Sequence, residues 1–463
     1  MFDKIKLDSV LQEIVTSWEI PGISVGIIQD GEIAYTKRFG VQNLETKIPV
    51  TSDSIFCIAS ISKVFTATAI MQLHERGALD LDASVHSCLP YFKMADDRSG
   101  LITIKQVLSH TSGLPDFTYF EYEKLWRNPE YDEGASERYV RALKNRKMIA
   151  APGEKFHYSN IGYNVLGDVI AKVSGMTFEA YMKENILIPS GMKHSTFLLE
   201  EVAPNLLAVP HLRAPGMMPS PFYPYHRGDA PASFLHTTIS DMCNWMTLCL
   251  DRGNFQGHEI LSPAVWNIMW RPVIKRATSA LYEDMALGWN IGHYKGEKTV
   301  SHGGFGGGWT DQLVILPDKK CAMTAMSLDE SFSIYRMQRA VLDVMLGHEP
   351  KVGTVSWAVP ICRALEKDGI KAAYACYEEI KDQTDVYSFD AEFLTFPALH
   401  SMTTNKIDIA VALLELNIHV FPDHAESYYY LARACLKKGD HKRAEENLEK
   451  ALKINPDFTD QGL

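Results

Sequence analysis

The chain has 463 residues, which is too long for one ordinary domain and makes two domains the natural expectation. Hydrophobic residues make up 46% and aromatic residues 10%, a composition typical of globular proteins and unlike that of disordered or fibrous chains. The net charge of −11, from 57 acidic and 46 basic residues, argues against a nucleic-acid-binding protein, which needs a concentrated basic face.

The amino terminus and the cysteines predict a cytoplasmic protein. Residues 1–9 have neither the apolar core of a secretory signal nor a small-residue cleavage site. No uninterrupted apolar run approaches membrane-spanning length, so no membrane association is expected. The eight cysteines are scattered without a C-x-x-C pair, which favours buried free thiols over disulfides or a zinc site.

The chain opens with a predicted helix and a predicted hairpin. Residues 5–18 have the periodicity of an amphipathic helix, and two apolar runs follow at 22–28 and 33–39. Asp30-Gly31 lies between these runs, and Asp-Gly in that position is a strong hairpin signal.

The next predicted helix carries Ser60. It is apolar on nearly all sides and is expected to end at Gly77, so it should lie in a protein core. Residues 100–235 mix predicted helices with long loops rich in proline, glycine and aromatic residues.

Three later segments predict strands: 286–291, 312–316 and 321–327, the last two joined by a turn at Pro317-Asp318. Strands at both ends of the sequence with helices between them indicate one sheet. The expected fold is therefore α/β, with helices against the sheet, a helical subdomain and a cleft where the two meet.

Beyond about residue 350 the pattern is helical only and shows a repeat. Five residues recur 34 positions later: Ala410, Leu414, Glu415, Pro422 and Asp423 return as Ala444, Leu448, Glu449, Pro456 and Asp457. A looser unit is expected over 357–383, with Gly369 at its turn. The pattern resembles the tetratricopeptide repeat, a helix–turn–helix unit of this length. The expected domains are 1–348, an α/β domain, and 355–463, a tetratricopeptide-like helical domain.

Ser60 and Lys63 form the most informative short motif, S-x-x-K, at the expected start of the core helix. Residues three positions apart share a helix face, so both side chains can point into one cavity. A serine hydroxyl needs a neighbour to take its proton, and a desolvated lysine can do so. Alone the motif is weak evidence, because both residue types are common.

Tyr158 and Asn160 extend this motif into a constellation. A phenol beside a lysine ammonium is favoured as phenolate, so we expect Tyr158 to accept the Ser60 proton and return it to a leaving group. Asn160 can donate its amide to an acyl carbonyl or hold Lys63 in position.

A glycine-rich segment at 301–309 supplies the third part. It contains His302-Gly303-Gly304, and glycines beside a strand allow a substrate to approach the backbone closely. The backbone N–H of Phe305 is expected to pair with that of Ser60 as an oxyanion hole. His302 is equally compatible with substrate contact and with a hydrogen-bonded scaffold role.

Two other features have competing interpretations. Ser24 lies in a G-x-S-x-G match, but it falls within a predicted strand rather than a strand-to-helix turn, so we treat the match as chance. An aromatic segment is expected either to form a lid over the acyl site or to pack on its own domain: Phe117, Tyr119, Phe120, Tyr122 and Trp126.

The motifs together resemble those of the class C β-lactamases and D,D-peptidase-related serine hydrolases, a family with esterase and D-aminopeptidase branches. Three motifs carry the resemblance in the family's order: Ser60-x-x-Lys63, Tyr158-x-Asn160 and His302-Gly303-Gly304, the last standing where the family has K-T-G or H-x-G. Segments 104–115, 239–242 and 286–289 resemble further hallmarks, and the resemblance spans residues 10–345.

The resemblance implies a β-lactamase-like antiparallel sheet flanked by helices, with a helical subdomain. It implies that Ser60 is the acylated nucleophile and that Lys63 and Tyr158 are the general-base pair. The oxyanion hole falls on the backbone amides of Ser60 and Phe305, and the substrate-binding residues on Asn160, His302, Gly303 and Gly304. No cofactor and no metal are expected.

One departure from the family pattern bears on the substrate. Position 302 has no lysine and Gly303 has no hydroxyl, so the apparatus for binding a substrate carboxylate is thinner than in efficient lactamases. We therefore expect a carboxylesterase for small, partly apolar esters, with a D-amino-acid peptidase or amidase second and a β-lactamase third.

The helical repeats leave a non-enzymatic alternative: a binding protein whose hydrolase fold is a vestige. The intact set of Ser60, Lys63 and Tyr158 argues against it. The expected partners are a small ester or amide substrate and no nucleic acid; the repeats allow a homo-oligomer or a peptide or protein partner. Docking of the repeats on the hydrolase domain is favoured over a free superhelix.

Overall fold

The computed structural model describes residues 2–279, 281–331 and 333–456. An eight-stranded antiparallel sheet is its centre, in the order β2-β1-β8-β7-β6-β5-β4-β3. The strands are β1 Gly22–Gln29, β2 Glu32–Gly40, β3 Ile274–Ser279, β4 Tyr282–Met285, β5 Asn290–Tyr294, β6 Glu297–Gly306, β7 Trp309–Leu316 and β8 Cys321–Ser327. Pairing of β1 with β8 joins the two ends of the predicted α/β domain, so the prediction of one shared sheet is confirmed.

The predicted hairpin and the predicted strand position of Ser24 are both confirmed. Asp30 and Gly31 have φ angles of 53° and 83°, the left-handed conformations that a tight two-residue turn requires. Ser24 lies within β1, opposite Met326 of β8.

One predicted strand is partly wrong. Residues 286–289 form a turn, in which the Ala286 N–H donates to the Trp289 carbonyl at 2.8 Å, and the strand begins only at Asn290. Gly288 has φ of 82° and approaches the core helix so closely that an added Cβ would lie 2.5 Å from the Ala67 Cβ. The apolar character of this segment reflects packing against the helix rather than a strand.

Thirteen helices of eight or more residues lie among the described residues. They are α1 Lys4–Trp18, α2 Ser62–Glu75, α3 Tyr119–Trp126, α4 Ala135–Ala142, α5 Asn160–Ser174, α6 Ile239–Leu250, α7 Ile334–Met345, α8 Ala358–Asp368, α9 Ile370–Ile380, α10 Glu392–Thr403, α11 Ile407–Val420, α12 Ala425–Lys437 and α13 His441–Ile454. Shorter α-helices are Val85–Cys88, Ile104–Leu108, Phe178–Met182, Ala230–Ser233 and Pro263–Met269. None of the helices in the described ranges is long and apolar enough to cross a membrane.

Two apolar cores cover the two faces of the sheet. Helices α1 and α7 pack on one face, where Leu11 and Val341 are fully buried beside Val25. Helices α2, α5 and α6 belong to the other core, in which Phe65 stacks on Trp245 with ring centroids 4.0 Å apart. The second core also includes residues of the helical subdomain, such as Val140 and Ile170.

The helices after residue 357 form consecutive hairpins with their own core. Gly369 and Gly439, with φ of 79° and 78°, lie at the turns of the hairpins α8–α9 and α12–α13. The segment is not purely helical as expected, because two-residue strands at 355–356 and 387–388 pair in parallel. Asp457, the last residue of the expected repeat, lies outside the described residues.

The helices α8 to α13, called the helical extension below, pack against the rest of the chain. Phe393 of α10 packs edge-on against Trp18 at 5.9 Å between ring centroids. The backbone N–H of Arg213 donates to His400 Nδ1 at 3.1 Å, and Lys406 Nζ donates to the Ala214 carbonyl at 2.7 Å. These contacts bear out the expectation that the repeats do not form a free superhelix.

Candidate active site

Ser60 lies in a 3₁₀ turn, Ala59–Ile61, immediately before α2 rather than in the α-helix itself. Ala59 has φ of 41°, an unfavourable value for a residue with a Cβ, and such strain is commonly found at functional sites. The three-residue spacing still brings the side chains together, because Lys63 Nζ lies 3.0 Å from Ser60 Oγ.

Three oxygen atoms surround the fully buried Lys63 amine: Ser60 Oγ at 3.0 Å, Asn160 Oδ1 at 2.5 Å and the Ala232 carbonyl at 2.8 Å. The two carbonyl oxygens can only accept hydrogen bonds. A neutral amine has two N–H groups, and if these go to the carbonyls its lone pair is left for the Ser60 hydroxyl. The arrangement therefore suits a lysine that accepts the serine proton.

Burial lowers the pKa of Lys63 to about 7, because a buried ammonium loses its hydration. The charges of Asp116 and Asp229 act in the opposite direction and favour the ammonium. Near neutral pH the amine is thus present in both protonation states, which a proton acceptor requires.

Asn160 connects Lys63 to Asp116. While its Oδ1 accepts from Lys63, its Nδ2 donates to Asp116 Oδ2 at 2.8 Å, and Tyr122 donates to the other carboxylate oxygen at 2.6 Å. This chain of hydrogen bonds fixes the orientation of the Asn160 amide. Two roles were possible for Asn160, and these hydrogen bonds support the one in which it holds Lys63 in position.

Asp229 supports the amine from the other side. It is fully buried and accepts hydrogen bonds from Asn164 at 2.6 Å and Trp126 at 3.0 Å, and burial raises its pKa to about 7. Asn164 also accepts from the backbone N–H of Ala232, the residue whose carbonyl contacts Lys63. Through Asn164, the Asp229 carboxyl group therefore helps to position Ala232, whose carbonyl accepts the hydrogen bond from Lys63.

Tyr158 lies against Lys63, whose Nζ is 5.0 Å from the centre of the phenol ring. The expectation of a phenolate is wrong: burial raises the pKa of Tyr158, and the opposing hydrogen bond with Ser60 does not reverse this. The loss of hydration on burial is the largest influence on this pKa, and the Asp116 charge acts in the same direction. Tyr158 is thus a phenol that can donate a proton.

His110 packs against Tyr158 and helps to hold it in place. Its ring stacks on Tyr158 with centroids 4.3 Å apart, and its Nδ1 accepts from the Ser159 backbone N–H at 3.1 Å. Burial moves the pKa of His110 well below its usual value, so the ring is neutral.

Strand β6 carries the glycine-rich motif past the turn that contains Ser60. Gly304 lies so close to this turn that an added Cβ would be 2.5 Å from the Ile58 carbonyl oxygen. In the described structure Gly304 lines neither cavity beside Ser60, so its predicted substrate contact gives way to close backbone packing. Phe305, the next residue, lines both cavities.

His302 cannot take the place of the missing lysine. Burial, with the Lys63 charge, lowers the pKa of its imidazole to about 3, and its Nδ1 contacts the Gly303 carbonyl at 2.7 Å. The ring is therefore neutral. Both residues line a cavity of about 270 Å³ beside Ser60, and the cation in that cavity is Arg276, which donates to Asn290.

The cavity with Arg276 continues into a basic groove of about 810 Å³, with which it shares Arg276, Tyr282 and Tyr335. The described lining of this groove has five cationic side chains and one carboxylate: Arg276, Lys295, Arg336, Arg339 and Lys351, with Asp343. Such a concentration of positive charge attracts anions.

A second cavity of about 170 Å³ lies beside Ser60 and is largely aromatic. Three residues of the predicted aromatic segment line it: Tyr119, Tyr122 and Trp126. The other two do not, since Phe117 packs on Tyr139 and Phe120 faces Tyr430 of the helical extension. Phe117 thus packs on its own domain, Phe120 packs on the helical extension, which neither interpretation expects, and a lid formed by the other three residues stays a prediction.

The structure brings seven of the eight predicted site residues around the Ser60 hydroxyl: Ser60, Lys63, Tyr158, Asn160, His302, Gly303 and Phe305. Sequence reasoning missed four polar or aromatic contributors, namely Asp116, Asp229, Arg276 and Phe396. Asp229, Arg276 and Phe396 lie outside the three motifs, and Asp116 directly follows the segment 104–115 without any spacing that marks it as a partner of Asn160. No group of three or more potential metal ligands occurs within the described ranges.

Comparison with known proteins identifies the family. The beta-lactamase family model matches residues 7–340, more than half of the chain. The chain belongs to the beta-lactamase family. A tetratricopeptide repeat model matches residues 425–458, in the helical extension of this beta-lactamase family member.

Two relatives illustrate the range of the family. Protein flp of Staphylococcus aureus (strain MW2) is 29% identical over 248 residues, which are 53% of this chain and 49% of flp, so the chain spans about half the length of that relative. Penicillin-binding protein 4 of Amycolatopsis lactamdurans is 28% identical over 330 residues, covering 68% of this chain and 83% of the relative.

Solved structures share the fold. An octameric penicillin-binding protein homologue from Pyrococcus abyssi superposes with a TM-score of 0.67 at 30% identity, covering 79% of this chain and 81% of that one. A class C beta-lactamase from Rhodobacter sphaeroides superposes with a TM-score of 0.61 at 21% identity, covering 74% and 99%, and it supports the fold alone.

Proposed function

We propose that this beta-lactamase family member is a serine hydrolase that cleaves carboxylic esters through a covalent acyl-Ser60 intermediate. The observation that carries the proposal is the Lys63 amine, which is buried, has two carbonyl acceptors and lies 3.0 Å from Ser60 Oγ. With a pKa of about 7, Lys63 can remove the serine proton at neutral pH.

Acylation begins as Ser60 Oγ attacks the carbonyl carbon and its proton passes to Lys63 Nζ. The backbone N–H groups of Ser60 and Phe305 stabilise the oxyanion that forms. The ester C–O bond then breaks, and the leaving oxygen takes a proton from the Tyr158 hydroxyl, which regains one from the Lys63 ammonium. Water then attacks the acyl carbon and gives a proton to Lys63; the bond from that carbon to Ser60 Oγ breaks, Ser60 Oγ takes the proton back from Lys63, and the carboxylic acid is released.

The proton donor indicates which cavity receives which part of the substrate. Tyr158 lines the cavity that contains Arg276 and does not line the aromatic cavity. A leaving oxygen must lie beside its proton donor, so the leaving group enters the Arg276 side and the acyl group the aromatic side. An aromatic acyl cavity favours a small apolar acid, which supports an esterase.

The proposal is tested with substrates and a probe in parallel. We expect a single fluorophosphonate adduct per chain by intact mass, and the highest kcat/KM with p-nitrophenyl esters of short acids. D-alanine p-nitroanilide and a chromogenic lactam are the comparison substrates. Absence of both an adduct and turnover would contradict the hydrolase and favour a binding protein that acts through its repeats.

The pH dependence of turnover follows from Lys63. Because the amine must be neutral to accept a proton, kcat/KM should fall about tenfold per pH unit below a pKa of about 7 and level off above it. The Asp116 charge favours the ammonium, so Asp116→Asn should move this limb to lower pH. Asp168→Asn is the control, since that carboxyl pairs with Tyr91 instead and should leave the limb in place. An unmoved limb in Asp116→Asn would exclude this coupling.

Cleavage of an amide whose leaving part carries a carboxylate is the second candidate. The observation in its favour is Arg276 and the basic groove behind it, on the leaving-group side. Faster turnover of a D-aminoacyl amide with a free carboxylate than of any neutral ester would select this candidate. A partner or a second copy bound through the tetratricopeptide repeat at 425–458 is compatible with either substrate.

A further inference from the structure

One wall of the aromatic cavity comes from the helical extension. Most of its lining belongs to the hydrolase part of the chain, including Tyr119, Tyr122 and Trp126 of α3, but Phe396 belongs to α10. The cavity that holds Ser60 is therefore bounded by residues more than 300 positions apart in sequence. Without α10 it would be open on that side.

Phe396 contacts the rest of the chain beside the proposed oxyanion hole. Its ring packs edge-on against Phe305, with centroids 5.1 Å apart and planes at 65°. Phe305 is the residue whose backbone N–H is proposed to bind the oxyanion, and its side chain is 50% exposed even with this contact. Phe396 thus covers apolar surface next to the reacting carbonyl.

The position of α10 is fixed by hydrogen bonds between buried groups. His400 Nδ1 accepts from the Arg213 backbone N–H, so its other nitrogen carries a proton and donates to Glu330. Glu330 in turn accepts from the Gly308 backbone N–H at 2.9 Å and lines the aromatic cavity. His400 lies one helical turn after Phe396, so this network holds the phenylalanine ring against the cavity.

Two further contacts join α10 to α3, the helix that carries Tyr119, and to the residue after it. The Tyr119 and Thr403 hydroxyls lie 3.2 Å apart, and Arg127 donates to the Thr403 carbonyl at 2.9 Å. Both walls of the cavity are thereby joined across the boundary between hydrolase and extension.

We infer that the helical extension completes the acyl-binding site and that Phe396 sets the largest acyl group accepted. The inference rests on the proposed hydrolase function and assigns to it a substrate class: esters of short-chain or simple aromatic acids. A cavity of about 170 Å³ is comparable with the engineered apolar cavity of about 150 Å³ that binds benzene. Phe396 is a specificity-determining residue, and the remaining repeats stay available for other contacts.

The test changes the size of this one side chain in the full chain. Phe396→Ala should raise the ratio of kcat/KM for p-nitrophenyl octanoate over butyrate by at least about tenfold, and Phe396→Trp should lower it. Rates of labelling by fluorophosphonates of graded alkyl length should follow the same order, so the result does not depend on ester turnover alone.

Phe393→Ala is the matched control. It removes the same kind of ring from the same helix and the same docking face, but Phe393 packs on Trp18 and is not part of the cavity lining. Its chain-length ratio should equal that of the wild type.

Three outcomes would overturn the inference. The first is an unchanged octanoate-to-butyrate ratio in both Phe396 variants while Ser60 is fully labelled. That result would contradict the role of Phe396 but not the proposed hydrolase function. The ratio can shift equally in Phe393→Ala, which means that loosened docking, not cavity size, sets specificity. Wild-type protein that neither labels nor turns over esters removes the proposed function itself.

Discussion

Replacement of Ser60 by alanine is expected to lower kcat/KM for p-nitrophenyl esters by at least about 10³-fold and to abolish the fluorophosphonate adduct. The variant removes the nucleophilic oxygen and leaves Lys63, Tyr158 and both cavities in place. The Ser60 side chain is only partly buried, so its loss should scarcely change the melting temperature. Intact mass spectrometry and steady-state kinetics on the same preparation provide both readouts.

Ser24→Ala is the control for this prediction. Ser24 occupies the other motif that resembles a nucleophile site, but it lies buried within β1 and is not part of the lining of either cavity beside Ser60. Labelling and turnover should match the wild type. Retained labelling in Ser60→Ala together with its loss in Ser24→Ala would reverse the assignment of the nucleophile.

Replacement of Lys63 by methionine is the prediction with the second largest effect. Methionine fills similar space without an ionisable group, so the proton acceptor is lost and kcat/KM should fall by about 10²- to 10⁴-fold. The limb of the pH profile near 7 should disappear from the residual activity, because the group whose deprotonation produces it, the Lys63 amine, is gone. Fluorophosphonate should still label Ser60, but slowly.

Lys63→Arg separates the two roles that a lysine can have. A guanidinium keeps the positive charge but does not release its proton at any pH used for the assay. If Lys63 acts as a base, the arginine variant should be as impaired as the methionine variant. Substantial activity in Lys63→Arg would show that the charge matters and would exclude the amine as proton acceptor. Lys172→Met, at a solvent-exposed ion pair with Glu137, should leave kcat/KM unchanged.

Much of the architecture follows from local patterns in the sequence. Alternating and continuous apolar runs mark the hairpin of β1 and β2 and the strands β7 and β8, and the repeat spacing marks the last helical hairpin. Residues 286–289 were misassigned because their apolar side chains serve contacts with α2, which are formed only in the folded protein.

The family and the candidate reacting groups are evident from the amino-acid sequence alone. A three-residue spacing places Ser60 and Lys63 on one face of a helical segment. The order of the motifs indicates a beta-lactamase relative. Spacing of this kind is a property of the backbone alone and can be read without the fold.

How those groups behave depends on contacts that form only in the folded protein. The pKa values of Lys63 and Tyr158 depend on burial and on the Asp116 carboxyl group, which is distant from both in sequence, so the local sequence predicts a phenolate where burial favours the phenol. The same holds for Arg276, a cation that lines one cavity beside Ser60, and for Phe396, which lines the cavity proposed to bind the acyl group. Desolvation and contacts between remote segments arise when the chain packs, and no local pattern encodes them.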